Sequence, residues 1–484
     1  MSERLNDPLA DTTKSGMATP PDPAPATPAL AGVAGRAESY AAVANSSQVL
    51  APGREAVDAL ADLYDEPDWM REARHAAWDL YTGMGLPHAK EEAWRRTDPT
   101  GYPLGSLRIA LSERELDGIY EIPPCWNHVL APVEQVSGIL VHCNGACAHT
   151  ALRRDDAKHG VTLQSLHAAL KTHGDLIRRH WMRGTTTRPD FNKFTALNAA
   201  LWHGGTFVHV PAGVSVLRPL QSLVAYDQAG ATGLHHTLVI AERGSRVTLI
   251  QDRVSQEQQP ELNADIVEIH AGEGAWVRYV SLQHWGERRY SVSVQEACLA
   301  QDANLVWVSG SLGGKITKDF IRTDLLEPRA RSTVAGFSFM HGDQHLDQST
   351  YQYHAAPDTY SDLLFRNVLR DHARTVFYGM IRVDAGAGGG TEGYQANNNL
   401  LLDDGRAHAI PGLEILANDV RCSHGATVSH LDPEERFYLQ ARGLPRPEAE
   451  RLIVQGFIRP IIERAPLAHI RDSLESEITE RFWR

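Results

Sequence analysis

The feature that most restricts what this chain can fold into is a β-type repeat of roughly thirty residues. Gly244-Ser245-Arg246-Val247, Gly274-Ala275-Trp276-Val277, Asp302-Ala303-Asn304-Leu305 and Arg329-Ala330-Arg331-Ser332 each place a small residue in a turn before a strand. The small residues are spaced by 30, 28 and 27 positions. Short β-type runs recur around them, at 206–211, 237–241, 247–251, 266–270, 276–282, 291–294 and 305–309. Helical stripes are scarce over the same region. A β repeat of this length suits a solenoid, in which each rung buries its apolar face on the next. A sandwich would instead turn every ~8–12 residues. The expectation is a mainly β chain whose parallel β-helix core covers residues 194–430.

The flanks follow other rules. Residues 1–50 are rich in Ala, Pro, Thr and Ser, with Tyr40 the only aromatic. Such a segment buries too little apolar surface to offset its ordering entropy, so a disordered tail is expected there. Residues 51–193 read as a helical and mixed N-terminal domain. Ala56, Leu60, Leu63 and Tyr64 form one apolar stripe, and Trp69, Ala73, Ala77 and Leu80 form another. A short helix is expected near 91–95, and an amphipathic helix over 163–180 built on Leu166, Leu170, Leu176 and Ile177. Residues 431–484 return to helix. Ala449, Leu452, Ile453, Gly456 and Phe457 follow helical spacing behind Pro447, and Leu467, Ile470, Leu474 and Ile478 form a further stripe. Helices after a solenoid either cap its open end or present a docking surface, and the pattern alone favours capping.

The densest chemistry lies in Arg421-Cys422-Ser423-His424-Gly425-Ala426-Thr427. A thiol and an imidazole two positions apart share one face of an extended strand. Both suit a soft metal or an iron–sulfur fragment. Two donors leave a four-coordinate site incomplete, so a metal there would need ligands from elsewhere in the chain or from another subunit. Asp432, Pro433 and Glu435 read as N-cap, first helical residue and capping-box partner of a following helix.

Composition removes several classes. No run of about 18 apolar residues is present, so no membrane-spanning segment is expected. The start lacks the basic and apolar regions of a signal peptide, and the five cysteines (Cys125, Cys143, Cys147, Cys298, Cys422) form no disulfide pattern. A cytoplasmic setting follows as the expectation. The formal net charge of −13 argues against broad nucleic-acid binding.

Four separated blocks resemble the SufD family of the SUF iron–sulfur cluster assembly machinery. They are Pro87-His-Ala-Lys-Glu-Glu-Ala-Trp-Arg-Arg-Thr-Asp98; Phe194-Thr-Ala-Leu-Asn198 with Gly205-Thr-Phe-Val-His-Val-Pro-Ala-Gly-Val214; His345-Leu-Asp347 with His354, Pro357 and Ser361; and Leu413-Glu-Ile415 through Cys422-Ser-His-Gly-Ala-Thr427 to Phe437-Tyr438 and Ala441-Arg-Gly443. The resemblance covers about residues 85–465 and implies a right-handed parallel β-helix between helical termini. It implies a heterodimer with a SufB-like subunit, docking of a SufC-like ATPase through the C-terminal helices, and no catalysis by this chain. It makes His424, with Cys422 beside it, a candidate ligand for transient iron or an iron–sulfur cluster at the subunit interface. Phe437, Tyr438, Arg442, Leu452, Ile453 and Phe457 become candidate partner contacts, which reverses the preference for simple capping. SufB-type chains share the architecture and remain the alternative. Cys-Ser-His-Gly-Ala-Thr in place of a glutamate-rich variant favours SufD, whereas Glu66-Pro-Asp-Trp-Met70 looks SufB-like. A structural adaptor without metal contact is the other alternative.

Further donors have blander readings. Cys143-x3-Cys147-x-His149 lacks a second pair at zinc-finger spacing. His345, Asp347 and His354 could bind iron, but polar ladder residues of a solenoid look the same. Gly386–Gly390 lacks the Lys-Ser/Thr of a phosphate loop and reads as a turn. Cys298 reads as core.

Overall fold

Strand after strand of the repeat stacks in parallel, giving a solenoid of about eight two-stranded turns in the computed structural model. The structure describes residues 48–111, 126, 129–256 and 259–483. One sheet runs from Leu220–Tyr226 through Arg246–Ser255, Trp276–His284, Asn304–Ser311, Arg331–Met340, Tyr360–Leu369 and Thr391–Leu401 to Val420–His430. The second runs from Gly204–Val210 through His235–Ala241, Glu261–Ala271, Arg289–Leu299, Ile316–Leu325, His345–His354 and Arg374–Val383 to Arg406–Ile415.

The repeat seen in the sequence is one corner of this coil. Ser245, Ala275, Ala303 and Ala330 are buried and stack in successive turns, Ser245 O accepting from Trp276 N and Ala275 O from Asn304 N, each at 2.8 Å. Each follows a residue with positive φ. Gly213, Gly244, Gly274, Asp302, Arg329, Asp358, Gly390 and Asp419 form a column of such corners. Gly and Asp tolerate that conformation best, which is why the corner leaves a readable mark in the sequence. The glycine-rich stretch 386–390 is one of these corners, with Gly389 and Gly390 both at positive φ.

Parallel register carries each lumen position along the axis. One column is Leu249, Tyr279, Trp307, Val334 and Leu363, and it ends in Gln395 and His424. The neighbouring column ends in Ser361, Gly393 and Cys422. The apolar part of the lumen thus turns polar toward the last turn.

Helices cover both outer faces. On the N-terminal side lie α1 (Arg54–Leu63), α2 (Asp68–Gly83), α3 (Arg154–Lys158), α4 (Leu166–His180) and α5 (Lys193–Leu201). Trp94, Tyr102, Phe194 and Trp202 in this region pack with Ile266, Val292 and Phe320 of the second sheet. On the other face α6 (Pro433–Ala441), α7 (Arg446–Ile462) and α8 (Ala468–Trp483) follow the last strand. Ile458, Ile461, Leu474, Ile478 and Phe482 pack on Val280, Val308, Phe337 and Phe339 of the first sheet. No helix among the described residues is long and apolar enough to cross a membrane.

Several local expectations need correction. The 1–50 tail lies outside the described residues up to 47, and Gln48–Leu50 form a strand paired with Ile109–Leu111. The solenoid begins at Gly204, because Phe194 sits in α5, a helix buried on nearly every side and capped by Asn192 and Thr195. An all-round apolar run carries no helical stripe, so it reads like a strand. The 163–180 helix starts at Leu166, since Thr162–Ser165 pairs as a strand and the Ser165 hydroxyl takes the Ala168 N–H. The 91–95 helix is a single 3-10 turn, Glu92–Trp94. In α2 the buried face is Met70, Arg74 and Ala77, and Leu80 is exposed. Arg74 is fully buried, with Glu66 accepting from its Nε and Nη2 at 2.7 Å and the Ala200 and Trp202 carbonyls accepting from Nη1.

Candidate functional site

The last turn has no successor. Arg406–Ile415 and Val420–His430 each pair on one side only, with Arg374–Val383 and Thr391–Leu401. Their other edges carry ladder donors and acceptors that no described strand takes up, which makes them templates for another chain. Residues that fill the lumen in earlier turns stand here at an open mouth: Leu413 is 39% exposed and Val428 50%.

Cys422 and His424 lie on the lumen side of this final strand, as period two predicts, one register step past Gly393 and Gln395. Cys422 is half-buried against Ile381, Val383 and Ile415. Burial pushes its thiol up, and a backbone hydrogen bond from Gly393 opposes the shift. His424 is exposed. The Gln395 amide behind it donates to Gly412 O at 3.0 Å and to Gly379 O at 3.3 Å.

The structure splits His345, Asp347 and His354 instead of gathering them. His345 and Asp347 face outward under the N-terminal region, where both contact the Thr97 hydroxyl. Lys318 Nζ also donates to Asp347 at 2.7 Å. That carboxylate takes one donor on each oxygen, one of them from its register neighbour Lys318, as the ladder reading expects. His354 faces the lumen, and its ring nitrogens meet Thr359 Oγ1 at 2.7 Å and Ser361 Oγ at 2.8 Å. Burial lowers it to about 4, so the ring is neutral at pH 7. A Cβ on Gly393 would lie 3.3 Å from Cys422 Sγ and 3.4 Å from His354 Nε2. Thiol and imidazole therefore converge on the gap that Gly393 leaves. Gly393 bears no donor, so sequence reading passes over it; only the register reveals its place.

The other cysteines are placed by the fold, and the reading of Cys298 changes. Cys143 packs with Ile139, Val141 and Trp126, whereas Cys147 packs against the solenoid lumen cluster. The two thiols leave opposite faces of one hairpin, so the Cys143/Cys147 half-site does not form. Cys298 points outward and is half-buried, not core; its register neighbours are His270 and Asp324.

The C-terminal helices carry the other candidate residues. Asp432 caps α6 by accepting the Glu434 N–H at 2.8 Å, without the capping-box return from Glu435. Phe437 is 72% and Tyr438 57% exposed, and the Arg442 guanidinium lies 5.0 Å from the Tyr438 ring centroid. In α7 the buried face is Ala449, Val454, Ile458, Ile461 and Ile462. The stripe of Leu452, Ile453, Gly456 and Phe457 is therefore not the core face: Leu452 and Gly456 are exposed, while Ile453 and Phe457 are half-buried. Arg366 Nη1 donates to Phe457 O at 2.6 Å, and Glu477 meets His284 Nδ1 at 2.6 Å, anchoring the helices to the sheet. His284 is raised to about 9, a rise that the Glu477 charge drives against burial; Glu477 is lowered to about 2 although burial alone would raise it, because His284 and Arg481 favour its charged form.

Comparison with known proteins fits this architecture. Residues 224–457 match the family model described as SUF system FeS cluster assembly, SufBD core domain, and residues 61–222 match the SufBD protein N-terminal region. The chain is similar to the iron–sulfur cluster assembly protein SufB of Bacillus subtilis (strain 168), at 26% identity over 423 residues, 86% of this chain and 90% of the relative. It is also similar to an iron–sulfur cluster assembly SufBD family protein of Staphylococcus epidermidis (strain ATCC 12228), at 26% identity over 420 residues, 85% of this chain and 89% of the relative. A SufBD family protein of Staphylococcus saprophyticus is 25% identical over 417 residues, with 85% and 89% covered.

Proposed function

The chain belongs to the SufBD family of iron–sulfur cluster assembly proteins, and from that premise we propose that it is a non-catalytic SufD-type subunit whose open last turn pairs with a SufB-type solenoid. The observation that carries this reading is the open mouth itself. Two unpaired edges frame the neighbouring lumen columns that end in Cys422 and His424. A second solenoid joined edge to edge would satisfy the ladder and cover Leu413 and Val428. It would also bring donors to a half-complete ligand set. Thiol and imidazole suit an iron or iron–sulfur cargo in transit. Exposed Phe437, Tyr438 and Leu452, with Arg442, Ile453 and Phe457 around them, offer the aromatic and apolar anchors of a dock for a SufC-type ATPase.

A SufB-type assignment has its own support, since the Bacillus subtilis relative bears that name and Glu66 builds the buried Arg74 pair within the SufB-like segment. Both readings use the same mouth. The experiment that tests the metal role is His424→Ala in the co-expressed complex. The expected outcome is a complex that still assembles with its ATPase and second solenoid but matures clusters at least tenfold more slowly. Normal cluster maturation by that complex would leave a structural adaptor without metal contact.

A further inference from the structure

The outer face of the second sheet gathers a different set of donors. Glu296, Cys298 and Asp324 each place a ligand atom within 4.8 Å of the other two. It is the one group of three such donors among the described residues. His270, Cys298 and Asp324 are register partners on three neighbouring parallel strands, so their side chains rise from one face at about the 4.8 Å strand spacing. His180, at the end of α4, lays its ring 4.5 Å from the His270 ring, centroid to centroid. A thiol and two carboxylates thus meet at one spot, with the two imidazoles to its side.

The surroundings hold this set in place. Glu296 accepts the backbone N–H groups of Thr185, Thr186 and Thr187 at 2.6, 2.7 and 3.0 Å, which locks the carboxylate in place. Gly184 is required there, because a Cβ would strike Glu296 Oε2 at 2.4 Å. Among the described residues the cation in contact is Arg322, 2.6 Å from Asp324 and 3.7 Å from Glu296. Its guanidinium is held over the rings of Tyr351 and Tyr353. One guanidinium faces two carboxylates. His270 Nε2 is buried and has no hydrogen-bond partner among the described residues. The positions grade from buried Glu296 and Asp324 to half-buried Cys298, His270 and His180, so the spot opens outward.

We propose that Glu296, Cys298 and Asp324, with His270 and His180 beside them, form a second site for a divalent cation of the iron-to-zinc series. Mixed nitrogen, sulfur and oxygen donors suit these ions. Binding converts the Cys298 thiol to a thiolate bonded to the metal, and the displaced proton leaves to solvent. The Thr185–Thr187 amides orient Glu296, as outer partners orient metal ligands elsewhere. The site stands apart from the open mouth and does not depend on the reading given to Cys422 and His424.

Anaerobic titration of the full-length protein with Co2+ tests it. A cysteine-bound cobalt ion gives a thiolate-to-metal charge-transfer band in the near ultraviolet. The band is expected to saturate, to vanish in Cys298→Ser, to persist in Cys422→Ser, and to need at least tenfold more metal in Asp324→Asn. Thermal melts of the two site variants serve as the fold control. A band that survives Cys298→Ser in a Cys422→Ser background, or no band in the parent protein, overturns the proposal. The alternative occupant of the pair, a proton shared between Glu296 and Asp324, predicts no band.

Discussion

The two ends of the solenoid are made of the same strands and finished in opposite ways. At the first turn, Gly204–Val210 and Leu220–Tyr226 are buried almost throughout. Thr162–Ser165 pairs antiparallel along one of these strands. Gly138–Cys143 pairs along the other and is itself backed by Ala146–Leu152. The last turn has none of this: every residue of its two strands is exposed or half-buried. A β-solenoid always creates two raw edges, and among the described residues this one covers the first and leaves the last open, the edge that the proposed pairing would use.

The sharpest way to break that comparison is to cut equivalent apolar side chains at each end. Trp202 is fully buried at the closed end, stacked 4.2 Å from His167, and under the Arg74 guanidinium at 4.3 Å. Trp202→Ala is expected to cost about 3–5 kcal/mol. Leu413→Ala at the open end is expected to cost less than about 1 kcal/mol, because the residue is 39% exposed. Urea denaturation of the isolated chain measures both, and comparable losses would mean that the open turn is packed as tightly as the closed one.

These ends also differ in what the sequence discloses. The corner column is legible because positive φ restricts residue choice, so Gly244, Gly274 and Asp302 announce a period. Cys422 and His424 are legible as a same-face pair because strand alternation needs no tertiary knowledge. Arg74 and Glu66 are not legible as a buried pair. Their burial depends on the carbonyls of Ala200 and Trp202, some 126 to 128 positions away. Glu296 and Cys298 share a strand face in the same legible way, but Asp324 sits on the next rung, and only the register sets it beside them.

A second test exploits charge. His142 and His203 are buried at the closed end, and burial lowers them to about 3 and about 4. The unfolded chain takes up protons near the ordinary value of about 6.5, while the folded chain does not until far lower. Stability is therefore complete above about pH 6.5 and falls as pH drops toward the folded values. At pH 5 each ring costs about 2 kcal/mol. Thermal melts at pH 7.5 and 5.0 should show this acid loss, and His142→Leu should reduce its slope by close to one proton. An identical slope in that variant would remove His142 from the account.

The smallest effect on stability should accompany the largest effect on assembly. Leu413→Asp with Val428→Asp places two charges on side chains that already meet solvent, so the isolated chain should change by less than about 0.5 kcal/mol. If a partner solenoid covers the mouth, those same charges become desolvated and unpaired in the complex, and association should weaken at least a hundredfold. Analytical ultracentrifugation of the doubly substituted chain with its partner solenoid reads the outcome directly. Unchanged association would show that the bare edge, although unpaired, is not the surface through which the complex forms. The docking role would then fall to the exposed face of α6 and α7 alone.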